Sequence, residues 1–265
     1  MNRIGFIGAG KMAAALIGAI LRAKLVPKEA IICSDINQER LREIHKNYGV
    51  QTVTSNLQVL KEANIVFLAF KPQNFPAAVE NLKTVIREDQ IVVSILAGVR
   101  TKALSTYLPA RVVRVMPNTA CLVGEMAAAV ATSENVSRQD LQQVIQLLAC
   151  AGTVVEVTEE QLDAVTGLSG SGPAFVAYLI ESFIVAGVAA GLTEKVSRRL
   201  TLKTFAGTAK LLEAWQMEPQ ELIDMVSSPN GTTVAGREIL ENSDVATICQ
   251  KTILRARQRS IELGN

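Results

Sequence analysis

The stretch Arg3-Ile4-Gly5-Phe6-Ile7-Gly8-Ala9-Gly10-Lys11-Met12-Ala13 decides the fold. Ile4 to Ile7 reads as a short buried strand, and Lys11 to about Arg22 reads as a helix. The turn between them fits G-x-G-x-x-G/A, with Gly8, Gly10 and Ala13 at the three fixed positions. Gly8 allows the tight turn. Gly10 has no side chain to keep a pyrophosphate off the backbone, and Ala13 lets the helix lie close on its strand. The helix N-terminus adds unpaired N–H groups and the positive end of its dipole. Such a match on its own is common. Here it follows an apolar strand and opens a helix, which is the setting of a dinucleotide-binding turn rather than an ordinary tight turn.

Outward from this unit, strands and helices alternate. Further strands are expected at Ala30 to Ser34, Val50 to Val53, Ile65 to Phe70, Ile91 to Leu96, Val112 to Met116, Met126 to Ala131 and Thr153 to Val157. Helices are expected at Gln38 to Lys46, Phe75 to Ile86 and Arg138 to Ala149. The continuous apolar run at Ile65 to Phe70 suits a strand covered on both faces. The fold class is therefore α/β, a Rossmann-type doubly wound sheet that is mostly parallel. Near residue 160 the character changes. No strand is expected from Gln161 onward, and helices are expected at Pro173 to Ala190, Glu194 to Trp215, Pro219 to Val226, Thr232 to Glu241 and Ser243 to Glu262. The expected domains are 1–160, which binds the dinucleotide, and 161–265, an all-α domain for dimerisation and substrate binding.

The helix from Pro173 is apolar nearly all round, and a helical domain of ~100 residues needs extra cover for such an element. A dimer core is the reading, with Ala186, Gly187, Ala190 and Gly191 permitting close backbone approach; a monomeric bundle core is the alternative. Glu181 at its centre argues against a membrane span.

The 265 residues are 49% hydrophobic but only 4% aromatic, so the core must be built from Ala, Val, Leu and Ile. A formal net charge of +2 with interspersed signs argues against nucleic acid. Cys33, Cys121, Cys150 and Cys249 form no C-x-x-C pair and read as reduced, mostly buried thiols in a cytoplasmic protein. With His45 as the sole histidine, on a charged helix, no metal site is expected. The first strand begins at residue 3, so no signal peptide is expected.

In an open parallel sheet, ligands lie at the carboxyl ends of the strands. Those ends carry Gly8-Ala9-Gly10, Ser34-Asp35, Thr54-Ser55-Asn56, Ala69-Phe70-Lys71-Pro72, Leu96-Ala97-Gly98 and Met116-Pro117-Asn118-Thr119. Asp35, at the end of the second strand, can accept from adenosine ribose hydroxyls and would repel a 2′-phosphate, which favours NADH over NADPH; capping of the next helix is its other reading. Far along the chain, Ser227-Ser228-Pro229-Asn230-Gly231-Thr232-Thr233 joins two helices and offers successive backbone amides to a carboxylate, unless it is only a capping turn.

These pieces resemble pyrroline-5-carboxylate reductases over essentially the whole length. The specific motifs are Gly167-Leu168-Ser169-Gly170-Ser171-Gly172-Pro173-Ala174 and the signature from Pro219 through Ser227 to Thr233 and on to Leu240-Glu241. Asn230 stands where a second glycine is common, and Arg237 where an aliphatic residue is usual. The resemblance implies NAD(P)H-dependent reduction of 1-pyrroline-5-carboxylate to L-proline. It implies that Ile7, Gly8, Ala9, Gly10, Lys11 and Met12 hold the pyrophosphate. Asn56, Ala69, Phe70, Lys71 and Pro72 would flank the adenosine and ribose, and Ala97 and Gly98 the nicotinamide. The amides of Gly231, Thr232 and Thr233 would grip the substrate carboxylate, with the Thr233 hydroxyl as the catalytic group at the ring nitrogen. It further implies a homodimer at least, with a higher oligomer of dimers open, in which the substrate loop of one chain completes the cofactor cleft of the other. Hydroxyacid dehydrogenases with a helical second domain are a rival, but Pro173 to Tyr178 lacks their lysine. A dinucleotide-sensing dimer is another, with no need of the Gly231 to Thr233 cradle.

Overall fold

A computed structural model describes residues 3–264 of the chain. The first half alternates strand and helix: β1 (Ile4–Ile7), α1 (Lys11–Arg22), β2 (Ile31–Ser34), α2 (Gln38–Tyr48), β3 (Gln51–Val53), α3 (Asn56–Glu62), β4 (Ile65–Leu68), α4 (Phe75–Leu82), β5 (Ile91–Ser94), α5 (Thr101–Tyr107) and β6 (Arg111–Met116). Then come β7 (Met126–Thr132), α6 (Arg138–Ala149), β8 (Gly152–Glu156) and the short α7 (Leu162–Val165). Among the described residues one eight-stranded sheet forms, in the order β3-β2-β1-β4-β5-β6-β7-β8. The first six strands run parallel, β7 runs antiparallel to β6, and β8 is parallel to β7. The order reverses between β1 and β4, so the switch point of a doubly wound sheet lies beside the glycine turn.

Helices cover both faces. On one, α1 and α6 bury Leu16, Ile17, Ile20, Val144 and Leu148 against Phe6, Phe67 and Val93. On the other, α3, α4 and α5 bury Leu60, Val79, Leu82 and Leu104 against Val66, Val92 and Val112. Two of the few aromatics are placed centrally: Phe6 and Phe67 stack at 4.7 Å across β1 and β4. Burying a side chain of this size contributes about 1.5–3 kcal/mol, so aliphatic residues on two faces suffice for the core.

The last third is helical: α8 (Gly172–Ala189), α9 (Glu194–Trp215), α10 (Pro219–Val226), α11 (Thr232–Glu241) and α12 (Val245–Leu263), with a π-helical turn over Thr166–Gly170 before α8. By compactness the chain divides into two units. One runs to Ser171 and resumes at Leu254; the other is Gly172–Ile253. Within the helical unit α8 packs on α9. Ser197 donates its hydroxyl to the Ile184 carbonyl at 2.7 Å, and Phe183 meets Phe205 edge-on at 5.2 Å. A Cβ on Gly187 would stand 2.2 Å from Ser197 Oγ, so this glycine serves packing within the chain rather than approach to a second chain. Gly191 is the left-handed exit of α8, with φ +100°. Of α8 only Ile184 is buried in the single chain, while Tyr178, Phe183 and Val185 are more than half exposed.

Several strand ends come out shorter than expected. β4 stops at Leu68 and β5 at Ser94, because the next residues leave the ladder to form the edge loops. Ala30 closes a 3-10 turn instead of opening β2, and α4 ends at Leu82 rather than Ile86. The seven-residue helices α3 and α5 were not expected. Each is too short to display a helical period.

Candidate active site

The parallel strands bring the expected residues to one edge of the sheet. The glycine turn is built as its residue types require. Gly8 has φ +107°, and a Cβ there would stand 2.6 Å from the Ala69 carbonyl, so glycine is needed for conformation and for space alike. Its N–H donates to Ser34 O at 2.7 Å, and Ala69 N–H donates to Ile7 O at 2.8 Å, which ties the turn to both neighbouring strands. Gly10 is the N-cap of α1 and receives no side-chain cap. A Cβ on Gly10 would meet only Ala69 O, at 3.9 Å. The space before the first-turn N–H groups of Lys11 and Met12 is therefore open, and Ala13 is fully buried behind it. A dinucleotide pyrophosphate fits this cradle on geometry alone.

Asp35 is neither free nor the cap of α2, which is Asn37. One Asp35 oxygen accepts from Ala9 N–H at 2.7 Å and the other from Asn37 N–H at 2.8 Å. The carboxylate is buried, with the Arg40 guanidinium 3.9 Å away. It thus holds the Ala9 peptide, and with it the glycine turn, in place. Beneath the turn, burial and then the charge of Asp35 push the Cys33 thiol up to about 12, so it stays protonated. Cys121 is also buried, Cys150 is half-buried and Cys249 is exposed, so only two of the four thiols lie in the core; all four are free.

Asn56 opens α3 and accepts from the Ser34 hydroxyl at 2.7 Å, which leaves its amide NH2 to point elsewhere. Lys71 is exposed and precedes Pro72, which starts a 3-10 turn; Ala69 and Phe70 are half-buried. Ala97 is exposed and Gly98 takes φ +78°. Asn118, at the end of β6, accepts from Ala127 N–H at 3.2 Å and donates to Ser169 O at 3.1 Å. Met116 packs on Gly170 where a Cβ would come within 2.4 Å of Cε. The π-helical turn is thereby fixed at the end of β6. Ser34 and Asn118 carry no role in the sequence reading; their one signal is their place at strand ends.

In the helical unit, the loop before α11 is a tight turn. Asn230 adopts φ +56°, an angle asparagine tolerates where most residues do not. A Cβ on Gly231 would stand 2.4 Å from Ser228 Oγ and 2.9 Å from Ser228 O. The Gly231 N–H donates to Ser228 O at 3.0 Å. It is committed inside the turn, so Gly231 shapes the loop. α11 has no side-chain cap, which leaves the first-turn N–H groups of Thr232 and Thr233 for an anion. Both threonines are exposed. Arg237, one helical turn beyond Thr233, pairs with Glu241 at 3.0 Å on its own helix. Among the described residues no group of three His, Cys, Asp or Glu could hold a metal.

A 3-2-1-4-5-6 sheet with an uncapped glycine turn at its switch point defines a dinucleotide-binding domain of the Rossmann type. The family model described as NADP oxidoreductase, coenzyme F420-dependent, matches residues 3–98, and that described as pyrroline-5-carboxylate reductase dimerisation matches residues 159–263. A pyrroline-5-carboxylate reductase of Methanosarcina acetivorans is 41% identical, with 99% of this chain and 98% of that protein aligned. The structure of a pyrroline-5-carboxylate reductase from Coxiella burnetii matches with TM-score 0.96 at 29% identity, over 100% of this chain and 99% of that one. A Plasmodium falciparum pyrroline carboxylate reductase with NADP bound matches with TM-score 0.87 at 29% identity, over 100% and 98%. The chain belongs to the pyrroline-5-carboxylate reductase family, and its helical part is the dimerisation domain of that family.

Proposed function

We propose that the chain reduces 1-pyrroline-5-carboxylate to L-proline with NAD(P)H, the last step of proline biosynthesis, and that its residues divide the work as follows. The observation that carries this reading is the pairing of two uncapped helix N-termini, α1 after Gly10 and α11 after Gly231, in one chain of this family. Lys11 and Met12 amides hold the pyrophosphate, and Asp35 keeps the turn in shape. Asn56 and Ala69 to Pro72 flank the adenosine and its ribose, and Ala97 and Gly98 line the nicotinamide side. Thr232 and Thr233 amides grip the substrate carboxylate. When bound, the reduced nicotinamide supplies a hydride to the C=N carbon. The Thr233 hydroxyl holds the proton on the ring nitrogen, which keeps the imine electrophilic, and the remaining acceleration comes from positioning. Asp35 favours NADH.

The exposed apolar surface of α8, which ends a helical run (Glu159–Ala189) long and apolar enough to cross a membrane, is covered by the second chain of the homodimer. The substrate loop of one chain completes the cofactor cleft of the other, dimers assemble further, and the protein works in the cytoplasm without nucleic acid. The test is steady-state consumption of NADH and of NADPH on adding pyrroline-5-carboxylate, with L-proline measured as product. Absence of turnover with both cofactors overturns the reading.

A further inference from the structure

The last turn of α12 returns to the sheet unit and lies against the loop after β5. Two glycines meet there. A Cβ on Gly98 would stand 3.1 Å from the Leu263 carbonyl, and a Cβ on Gly264 would stand 3.0 Å from the Gly98 carbonyl. The two backbones touch with no side chain between them. One helical turn earlier, the Ser260 hydroxyl donates to Asp163 Oδ1 at 2.6 Å; Ser260 is 5% exposed and Asp163 7%. The other oxygen of Asp163 lies 3.7 Å from the Arg100 guanidinium, and Arg100 is the N-cap of α5, two residues beyond Gly98. The next residue, Thr101, donates through its N–H at 3.1 Å and its hydroxyl at 2.5 Å to Glu159, which also accepts from the buried Arg114 at 2.6 Å. The loop Ala97 to Thr101 is thus held at one end by two acidic residues of the 159–165 segment and at the other by the end of α12. Ser260 links the two holds.

We propose that the end of α12 is a clamp on the loop Ala97 to Arg100, and that Ser260 is a positioning residue for the nicotinamide side of the cofactor cleft. The inference rests on the reading that Ala97 and Gly98 line that side. Removing the hydroxyl leaves a buried carboxylate short of a donor and frees the loop that it steadies. Binding of the dinucleotide must then order the loop, while the carboxylate grip at Thr232 and Thr233 is untouched.

The experiment is steady-state kinetics of the intact protein with Ser260→Ala, Ser260→Thr, Arg100→Gln and Gly98→Ala, with dimer size checked by gel filtration. Ser260→Ala is expected to raise KM for the reduced dinucleotide about 5- to 30-fold and to leave KM for pyrroline-5-carboxylate within about twofold. Ser260→Thr, which keeps the hydroxyl, restores the cofactor KM. Arg100→Gln, at a partly exposed side chain, shifts it in the same direction even if Ser260→Ala fails to fold. An unchanged cofactor KM in both Ser260→Ala and Arg100→Gln overturns the clamp, as does an equal rise in both KM values or loss of the dimer. Gly98→Ala separates the two layers of the argument. A raised cofactor KM in Gly98→Ala, with none in the other variants, keeps the reading of the loop and removes the clamp. No change in Gly98→Ala removes both.

Discussion

Replacing Asp35 by Ser tests how the glycine turn is held. The carboxylate accepts two backbone N–H groups, Ala9 at 2.7 Å and Asn37 at 2.8 Å, and it is buried. A hydrogen bond to a charged group contributes about 1.5–3 kcal/mol, so the two lost bonds put about 3–6 kcal/mol at stake before solvent returns any of it. The turn lies at the sheet edge, where water can satisfy the freed amides, and about 1–2 kcal/mol should survive as poorer cofactor binding. That is a fall of roughly 5- to 30-fold in kcat/KM for NADH. A second effect acts in the opposite direction for NADPH, because the negative charge that repels a 2′-phosphate is gone. Arg40, 3.9 Å away, already offsets part of that charge, so the ratio of NADPH to NADH efficiency should rise by only about 3- to 10-fold. The assay is kcat/KM with each cofactor at saturating pyrroline-5-carboxylate, beside a thermal melt. Unchanged efficiency with NADH refutes the bracing role, and an unchanged ratio refutes the charge-based selection.

Thr233→Ala should lower kcat by roughly 10- to 1000-fold and leave cofactor affinity nearly unchanged; near-normal turnover removes Thr233 from the chemistry. Gly231→Ala places a Cβ 2.9 Å from the Ser228 carbonyl, so the loop must shift. KM for pyrroline-5-carboxylate should rise about tenfold or more with cofactor KM unchanged, and a normal substrate KM contradicts the shaping role. Asp140 offers a pH test. Burial alone would raise its pKa, but hydrogen bonds from Ser137 and the Arg111 guanidinium outweigh it and hold the carboxyl below its ordinary value. A depressed folded pKa means that the stabilisation is complete above the unfolded value of about 4 and is lost as pH falls through the folded one. Asp140→Ala should therefore cost about 1–3 kcal/mol in urea melts at pH 7, with the gap to the parent protein narrowing below about pH 4; a gap that does not narrow contradicts the assignment.

The glycine turn and the alternation of strand and helix were legible because they rest on local chemistry. The φ of +107° at Gly8 follows from the turn itself, while the Ala69 carbonyl at the end of the neighbouring strand adds a tertiary bar to any side chain there. The carboxyl-end loops could be named from strand order alone. The sequence could not show which partner each polar group takes. Type and position offer Asp35 a ribose or the cap of the next helix; the structure gives that cap to Asn37 and adds two backbone amides as partners, one of them 26 residues away. The Gly231 amide was expected to face the substrate but is committed to Ser228, because the left-handed Asn230 closes the turn on itself. Gly187 was read as a contact between chains, yet Ser197 on the next helix occupies the space. The Ser260 to Asp163 bond spans 97 residues and leaves no periodic trace in the chain. For Asp35, Gly187 and Ser260 the deciding contact is tertiary, and residue type with spacing has no access to it; for Gly231 it is a local turn that depends on the left-handed angle at Asn230.

The seat proposed for the substrate carboxylate is the pair of first-turn amides of α11. A crystal structure of the dimer with oxidised or reduced dinucleotide and L-proline bound tests it most directly. The expected result is the carboxylate within hydrogen-bond distance of Thr232 and Thr233 N–H, the ring nitrogen beside the Thr233 hydroxyl, and the nicotinamide against Ala97 and Gly98. A carboxylate held elsewhere, with the Thr232 and Thr233 amides facing only water, contradicts it.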